Sequence, residues 1–538
     1  MNFASDIENL WGKVRLKMTS TQLAAFWSAM IVGFMAHGFV FFNRISYHDN
    51  TADLFALGST YEVNRWCLGL IYDFQLLSTK TFSLPLFNGL LSLLFIALAA
   101  MLLVDIFELK SKASAIGVGA IMAVYPVVTS IFSFMFTSWP YFLALVLSVV
   151  AAGTLIKDRT LAGFVKGTVC VTLMLGLYQA FLAVTISIFL AKLLQDVIKG
   201  KCPDILTYTK NGLADLASLL AGLVLNTLIA TGLKYIRHAN TLEYKGRGDS
   251  YSLSAFPGKL IEAIREFFTA SFAGVNGVRY LRLLTVCIIA AAIFQIVVLV
   301  LYLGKSISAK VAGLVGSLLL PIGMNVVYLL STSSDYYVDS LMVYGCAFVL
   351  IIPVTLIEGL GALSMEGDFS PGTITIKKPL GKALKLITWL QIIAMVMVTF
   401  GYVYMDNAAY LKGSIAQEQA TSYFNQLIAC IKSTDGYRED MKVVFVGLGN
   451  NQDATFVDLD PGEQFNAVKL DNFPEYFDLV GYGASLAFMR EHCGFGNELV
   501  SVDDGTYANN TQVKAMPTYP NDGGIAIIDD KVIVKLGE

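Results

Sequence analysis

The sequence predicts an α-helical polytopic membrane protein of about eleven spans, closed by a small extracytoplasmic α/β domain. Three observations predict it. Of the 538 residues, 55% are hydrophobic and only 15% charged, with mean hydropathy +0.62, whereas a soluble domain carries about a quarter charged residues. Apolar runs of about 20 residues, the length that crosses a hydrocarbon core about 30 Å thick, recur from end to end. The charge is also split: residues 1–405 hold 29 Lys+Arg against 21 Asp+Glu, and residues 406–538 hold 9 against 20.

The runs fall near 22–42, 84–106, 113–133, 138–156, 161–177, 180–198, 211–232, 282–304, 308–330, 338–361 and 384–405. The fifth and sixth share one long apolar stretch, broken at "GLYQAF", where Tyr178 and Gln179 supply a polar turning point. The polar, mixed-charge N-terminus does not read as a secretory signal. Residues 1–405 thus read as the membrane domain and 406–538 as the extracytoplasmic one.

Orientation follows from Lys and Arg in short loops. With the N-terminus inside, Lys13, Arg15 and Lys17 precede the first span. The later inside loops carry Lys110 and Lys112; Lys157 and Arg159; Lys199 and Lys201; Lys305 and Lys310; and Lys377, Lys378, Lys382 and Lys385. The short outside loops after spans three, five and nine carry none. Three large segments then face outward: about 42–83, about 233–281, and the tail. In the tail, 408–433 and "EYFDLVGYGASLAFMREH" read as helices, "MKVVFVGLG" as a buried strand, and the C-terminal stretch as a hairpin turning at Asp529–Asp530. The "GLGN" after the strand lacks the third glycine and following βαβ unit of a dinucleotide fingerprint.

The seven cysteines show no metal-type spacing. Cys430 and Cys493 both lie in the tail and are open to a disulfide if it faces an oxidising compartment, but spacing alone does not decide the pairing. No metal or other cofactor is expected, and nothing in the charge pattern points to nucleic acid.

Ionisable groups crowd the outer ends of spans. In the first outer loop they include His48, Asp49 and Arg65; in the second, Arg237, His238, Arg279 and Arg282; at the nine–ten turn, Asp335 beside Tyr336. Cations at headgroup depth suit a lipid-linked phosphate, because guanidinium binds phosphate bidentately. A carboxylate such as Asp49 can take a proton from an incoming hydroxyl, with His48 as helper. The plainer readings are a solvated or helix-capping "YHDN" turn and arginines that snorkel as interface anchors.

The turn "SYHDN", the element "EVNRWCLGL", the "LYQ" break and the tail after the last span together resemble the type II Gtr family, the serotype-converting O-antigen glucosyltransferases of bacteria and phages. The resemblance implies a GT-C architecture in the bacterial inner membrane. It implies transfer of glucose from undecaprenyl-phosphate glucose to a hydroxyl of a lipid-linked O-antigen repeat on the periplasmic face. A flippase and a donor-synthesising transferase would supply the donor. It also implies Asp49 as base, with Asn50 where a second acid is common, Arg65 near the lipid phosphate, and Tyr178 and Gln179 near the cavity. The alternatives are a polyprenyl-phosphate-sugar transferase acting on another envelope glycan, and a non-enzymatic lipid-sugar flippase or transporter. Span centres nearly free of charge, with no internal repeat, speak against a transporter.

Overall fold

The computed structural model describes residue 5 and residues 18–45, 58–77, 79, 81–201, 205–242, 253–270, 278–330, 338–368, 372–447, 484–497, 499–500, 503 and 505–537. Its helices are α1 (Ser20–Phe42), α2 (Trp66–Leu76), α3 (Pro85–Ile106), α4 (Lys112–Val124), α5 (Val127–Phe132), α6 (Ser138–Lys157) and α7 (Leu161–Leu177). Then come α8 (Leu182–Ile198), α9 (Ile205–Arg237), α10 (Phe256–Ala270), α11 (Arg279–Leu303), α12 (Ile307–Met324), α13 (Val327–Leu330), α14 (Phe348–Leu360) and α15 (Lys378–Ser433).

Among the described residues, eight helices are long and apolar enough to cross a membrane: α1, α3, α6, α8, α9, α11, α12 and α15. Shorter apolar helices stand where the sequence places spans three, five and ten. Proline accounts for one of them. Pro126 restricts the preceding residue to extended backbone, so Tyr125 (ψ 132°) ends α4 and the chain restarts as α5. The "LYQ" break is present as expected: Tyr178 is extended (φ −155°, ψ 105°), and a 3-10 turn over Gln179–Phe181 leads into α8.

Small residues let the helices approach closely, as membrane packing requires. A Cβ on Gly119 of α4 would lie 2.2 Å from the Ala25 carbonyl oxygen of α1. The core threads through α1, α3–α8 and α14, with Leu93, Phe107, Phe142 and Phe181 fully buried.

The expected junction between residues 405 and 406 falls inside one helix. α15 continues without a break for 56 residues, about 80 Å at 1.5 Å per residue, so its second half runs on well beyond a bilayer. There Phe424, Leu427 and Ile431 cover one face of a four-stranded sheet. The strands are β3 (Lys442–Val446), β4 (Leu499–Val500), β5 (Ile525–Ile528) and β6 (Lys531–Lys535), following β1 (Leu363–Met365) and β2 (Ile374–Ile376). The sheet order is β4-β3-β6-β5; only β5–β6 is antiparallel. Along β3, Val443 and Phe445 meet α15 and helix α16 (Ala484–His492), while Val444 and Val446 face the opposite cluster. Burial on both faces explains the continuous "VVFV" run. The hairpin turns at Asp529–Asp530 as the sequence predicts, both residues at positive φ (51° and 58°) as a tight hairpin turn demands.

Cys430 and Cys493 are free thiols. Cys430 is exposed on α15 beside Tyr519, whereas Cys493 packs against the apolar core of the tail.

Candidate functional site

The segment between α1 and α2 turns on the predicted "NRW" element. Tyr61–Val63 form a 3-10 turn and Asn64 closes it at φ 62°, a left-handed conformation that asparagine tolerates. The Glu62 carboxylate accepts the Thr60 N–H (3.0 Å), and the Arg65 N–H donates to the Thr60 carbonyl (2.8 Å). Trp66 anchors the turn, its indole N–H donating to Asn226 Oδ1 of α9 at 2.8 Å. Gly176 of α7 makes room, because a Cβ there would lie 2.6 Å from the indole ring.

This turn delivers Arg65 into a cavity of about 260 Å³ whose lining includes Glu62, Asn64, Arg65, Tyr178, Gln179 and Thr241. The guanidinium lies 5.5 Å from the ring centroids of both Tyr141 and Tyr178, which stack at 4.0 Å. Its Nη1 donates to the Tyr141 hydroxyl at 2.6 Å. The Tyr178 hydroxyl donates to the Leu341 carbonyl (3.2 Å), holding that ring in place. Among the described residues Arg65 has no carboxylate within ion-pair distance, whereas its rings hold it by cation–π attraction. A half-buried guanidinium with no carboxylate partner among the described residues has the chemistry to bind an anion. Thr241 and Leu242, just after α9, also line the cavity, and the Leu242 N–H donates to the Glu62 carbonyl (3.3 Å).

Arg65, Tyr178 and Gln179 are therefore brought together in one cavity. The other expected cations are not. Arg237 pairs with Asp73 at 2.5 Å, and the Tyr61 hydroxyl donates to the same carboxylate oxygen at 2.6 Å. Arg237 also lies 5.1 Å from the Tyr61 ring, so its charge is spent tying the end of α9 to α2. Burial, and then the bond to Asp73, hold the Tyr61 phenol above its ordinary range. His238 is exposed at φ 52°, ending α9. Arg279 and Arg282 are exposed in the first turn of α11, which packs on α15 and α14, and neither lines the cavity. His48, Asp49, Asn50, Asp335 and Tyr336 lie outside the described residues. Leu330 and Val338, the described residues flanking 331–337, both line the cavity.

Sequence reasoning missed Tyr141, the hydrogen-bond partner of Arg65, because a tyrosine in an apolar span carries no signal of its own. It also gave no role to His37 or Asp406. His37 of α1 is fully buried, with Nδ1 2.8 Å from the Tyr410 hydroxyl and Nε2 2.8 Å from the Ala123 carbonyl. Asp406 of α15 is also fully buried and accepts from Thr129 Oγ1 at 2.7 Å. Two isolated letters, one per helix, give no hint of meeting until α1, α5 and α15 are packed.

No curated protein and no solved structure matches the chain. A family model does: that of the glucosyl transferase GtrII family matches residues 38–351. The match covers more than half of the chain and every residue lining the cavity. The chain therefore belongs to the glucosyl transferase GtrII family, and that membership indicates a glucosyltransferase.

Proposed function

We propose that the protein transfers glucose from undecaprenyl-phosphate glucose to a hydroxyl of a lipid-linked O-antigen repeat, at the periplasmic face of a bacterial inner membrane. One observation carries the reading: Arg65, free of any carboxylate among the described residues, lines a cavity shared by the segment between α1 and α2 and the residues just after α9. The donor's phosphate meets that guanidinium. Its polyprenyl chain stays in the bilayer, and Glu62, Asn64, Gln179 and Thr241 surround the sugar with hydrogen-bonding groups.

In this reading the reaction is a single displacement. Asp49 takes the acceptor hydroxyl proton, the acceptor oxygen bonds to the anomeric carbon, and the bond from that carbon to the phosphate oxygen breaks. The lipid phosphate leaves with the electron pair, and Arg65 stabilises the charge that develops on it. His48 and Asn50 neighbour the base in sequence. Asp335 and Tyr336 fall in the sequence between the lining residues Leu330 and Val338. Phosphate is a good leaving group, so the chemistry calls for no strong general acid.

The test is direct. Purified protein receives undecaprenyl-phosphate glucose and an O-antigen-bearing lipid, beside Asp49→Asn and Arg65→Ala. Wild type releases lipid phosphate and glucosylates the acceptor, and both variants lose most of that rate. No release by wild type with any polyprenyl-phosphate sugar ends the transferase reading. Full activity in Asp49→Asn removes the base assignment alone.

A further inference from the structure

A second concavity lies at the far end of the helices from the Arg65 cavity. α8 spans the two, beginning beside Tyr178–Gln179 and ending where Ile198 lies 3.1 Å from a Cβ placed on Gly359 of α14. From there the parallel strands β1 and β2 form a short strap, pairing Leu363 with Ile374 and Met365 with Ile376. The strap lies against the start of α15 so closely that a Cβ on Gly381 would come 2.3 Å from the Met365 side chain.

Strap, α14 and α15 enclose a groove of about 420 Å³. Its lining is mostly apolar, with Leu360, Leu363 and Ile376 among it, and includes two opposite charges, Lys385 and Asp368. Among the described residues neither charge is in an ion pair, and both are exposed. Trp389, one turn after Lys385 on α15, lines the groove yet is 59% exposed, which suits a ring lying at the membrane interface. Leu386 and Leu390 continue an exposed apolar surface from it.

We infer that this groove binds one glycerophospholipid with a zwitterionic phosphate–ammonium headgroup. Lys385 takes the phosphate, Asp368 takes the ammonium, and an acyl chain lies along the apolar wall towards Trp389. Lys385 and Asp368 together match a headgroup that carries both charges. A purely anionic headgroup would satisfy Lys385 and be repelled by Asp368, whereas general attraction of a basic end to anionic lipid needs lysine only. The groove stands apart from the Arg65 cavity, so the inference does not depend on the proposed reaction.

The full chain, delipidated in detergent, is titrated with phosphatidylethanolamine or phosphatidylglycerol and observed intact by native mass spectrometry. Wild type is expected to retain one phosphatidylethanolamine in preference to phosphatidylglycerol. Lys385→Ala should weaken both lipids at least five-fold. Asp368→Asn should remove the preference, weakening phosphatidylethanolamine alone. Because both residues are exposed, each variant should elute as the same monodisperse species as wild type. Preference for phosphatidylglycerol, or retention unchanged in both variants, would overturn the assignment. If either variant fails to elute normally, wild-type selectivity decides: equal retention of the two lipids also overturns it.

Discussion

Arg44, two residues beyond α1, forms an ion pair with Glu491, near the end of α16 in the tail. The pair spans almost the whole chain and joins the root of the first outer loop to the sheet-bearing C-terminal segment. Glu491 is only 13% exposed, so removing its partner strands a largely buried carboxylate. Arg44→Ala and Glu491→Ala are each expected to cost about 1–3 kcal/mol. The exchanged pair Arg44→Glu with Glu491→Arg should recover part of that. Thermal unfolding of the four proteins in detergent measures it; no recovery in the exchange would mean that the contact is not electrostatic.

Arg65 is held by two stacked tyrosines and one hydrogen bond and lines the cavity. Arg65→Ala should lower kcat/KM at least 100-fold, about 2.7 kcal/mol, in the range of removing one charge-stabilising donor. Arg65→Lys should recover little, because an ammonium lacks the planar fork that stacks and binds phosphate. Tyr141→Phe should cost about 0.5–1.5 kcal/mol, the worth of one hydrogen bond. Steady-state release of lipid phosphate reads all three.

Arg237 distinguishes a structural from a catalytic cation. Because Asp73 and the Tyr61 ring already engage it, Arg237→Ala should lower the unfolding temperature. It should leave KM for the donor within about three-fold of wild type. A selective rise in KM would return Arg237 to the phosphate site.

His492 makes the tail sensitive to acid. Burial, and then the neighbouring Arg44 charge, lower its pKa to about 4 from the ordinary 6.5. Between those values the unfolded chain binds the proton and the folded one does not. Stability therefore falls as pH drops from about 6.5 towards 4, and this contribution is flat above 6.5. The imidazole stacks on the Phe488 ring at 4.4 Å. His492→Gln should show a shallower decline in unfolding temperature between pH 6.5 and 4; an unchanged slope would remove His492 as the cause.

Asp406 offers a test of buried polar packing. Asp406→Asn can still accept from Thr129 and should unfold near wild type. Asp406→Ala leaves the Thr129 hydroxyl inside the core without that acceptor, costing about 1–3 kcal/mol. Equal stability of the two variants would show that the hydrogen bond contributes nothing.

The sequence by itself determined most of the helical layout. Hydrophobic length is a local property, so the apolar runs, the Tyr178–Gln179 break, the buried β3 strand and the Asp529–Asp530 hairpin could all be read one segment at a time. Motif resemblance singled out Arg65, Tyr178 and Gln179, and the fold brings them to one cavity. What only the tertiary structure decided was the partner of each charge. Arg65 and Arg237 look alike in the sequence, two arginines at outer span ends, but helix packing sets aromatic rings around one and the Asp73 carboxylate against the other. The same holds for His37 and Asp406, read as one histidine within a span and one acid past the last. Packing of α1 and α15 around α5 joins them through Tyr410 and Thr129. Pairing energy depends on distances set by packing among segments far apart in the chain, and no local pattern encodes those distances.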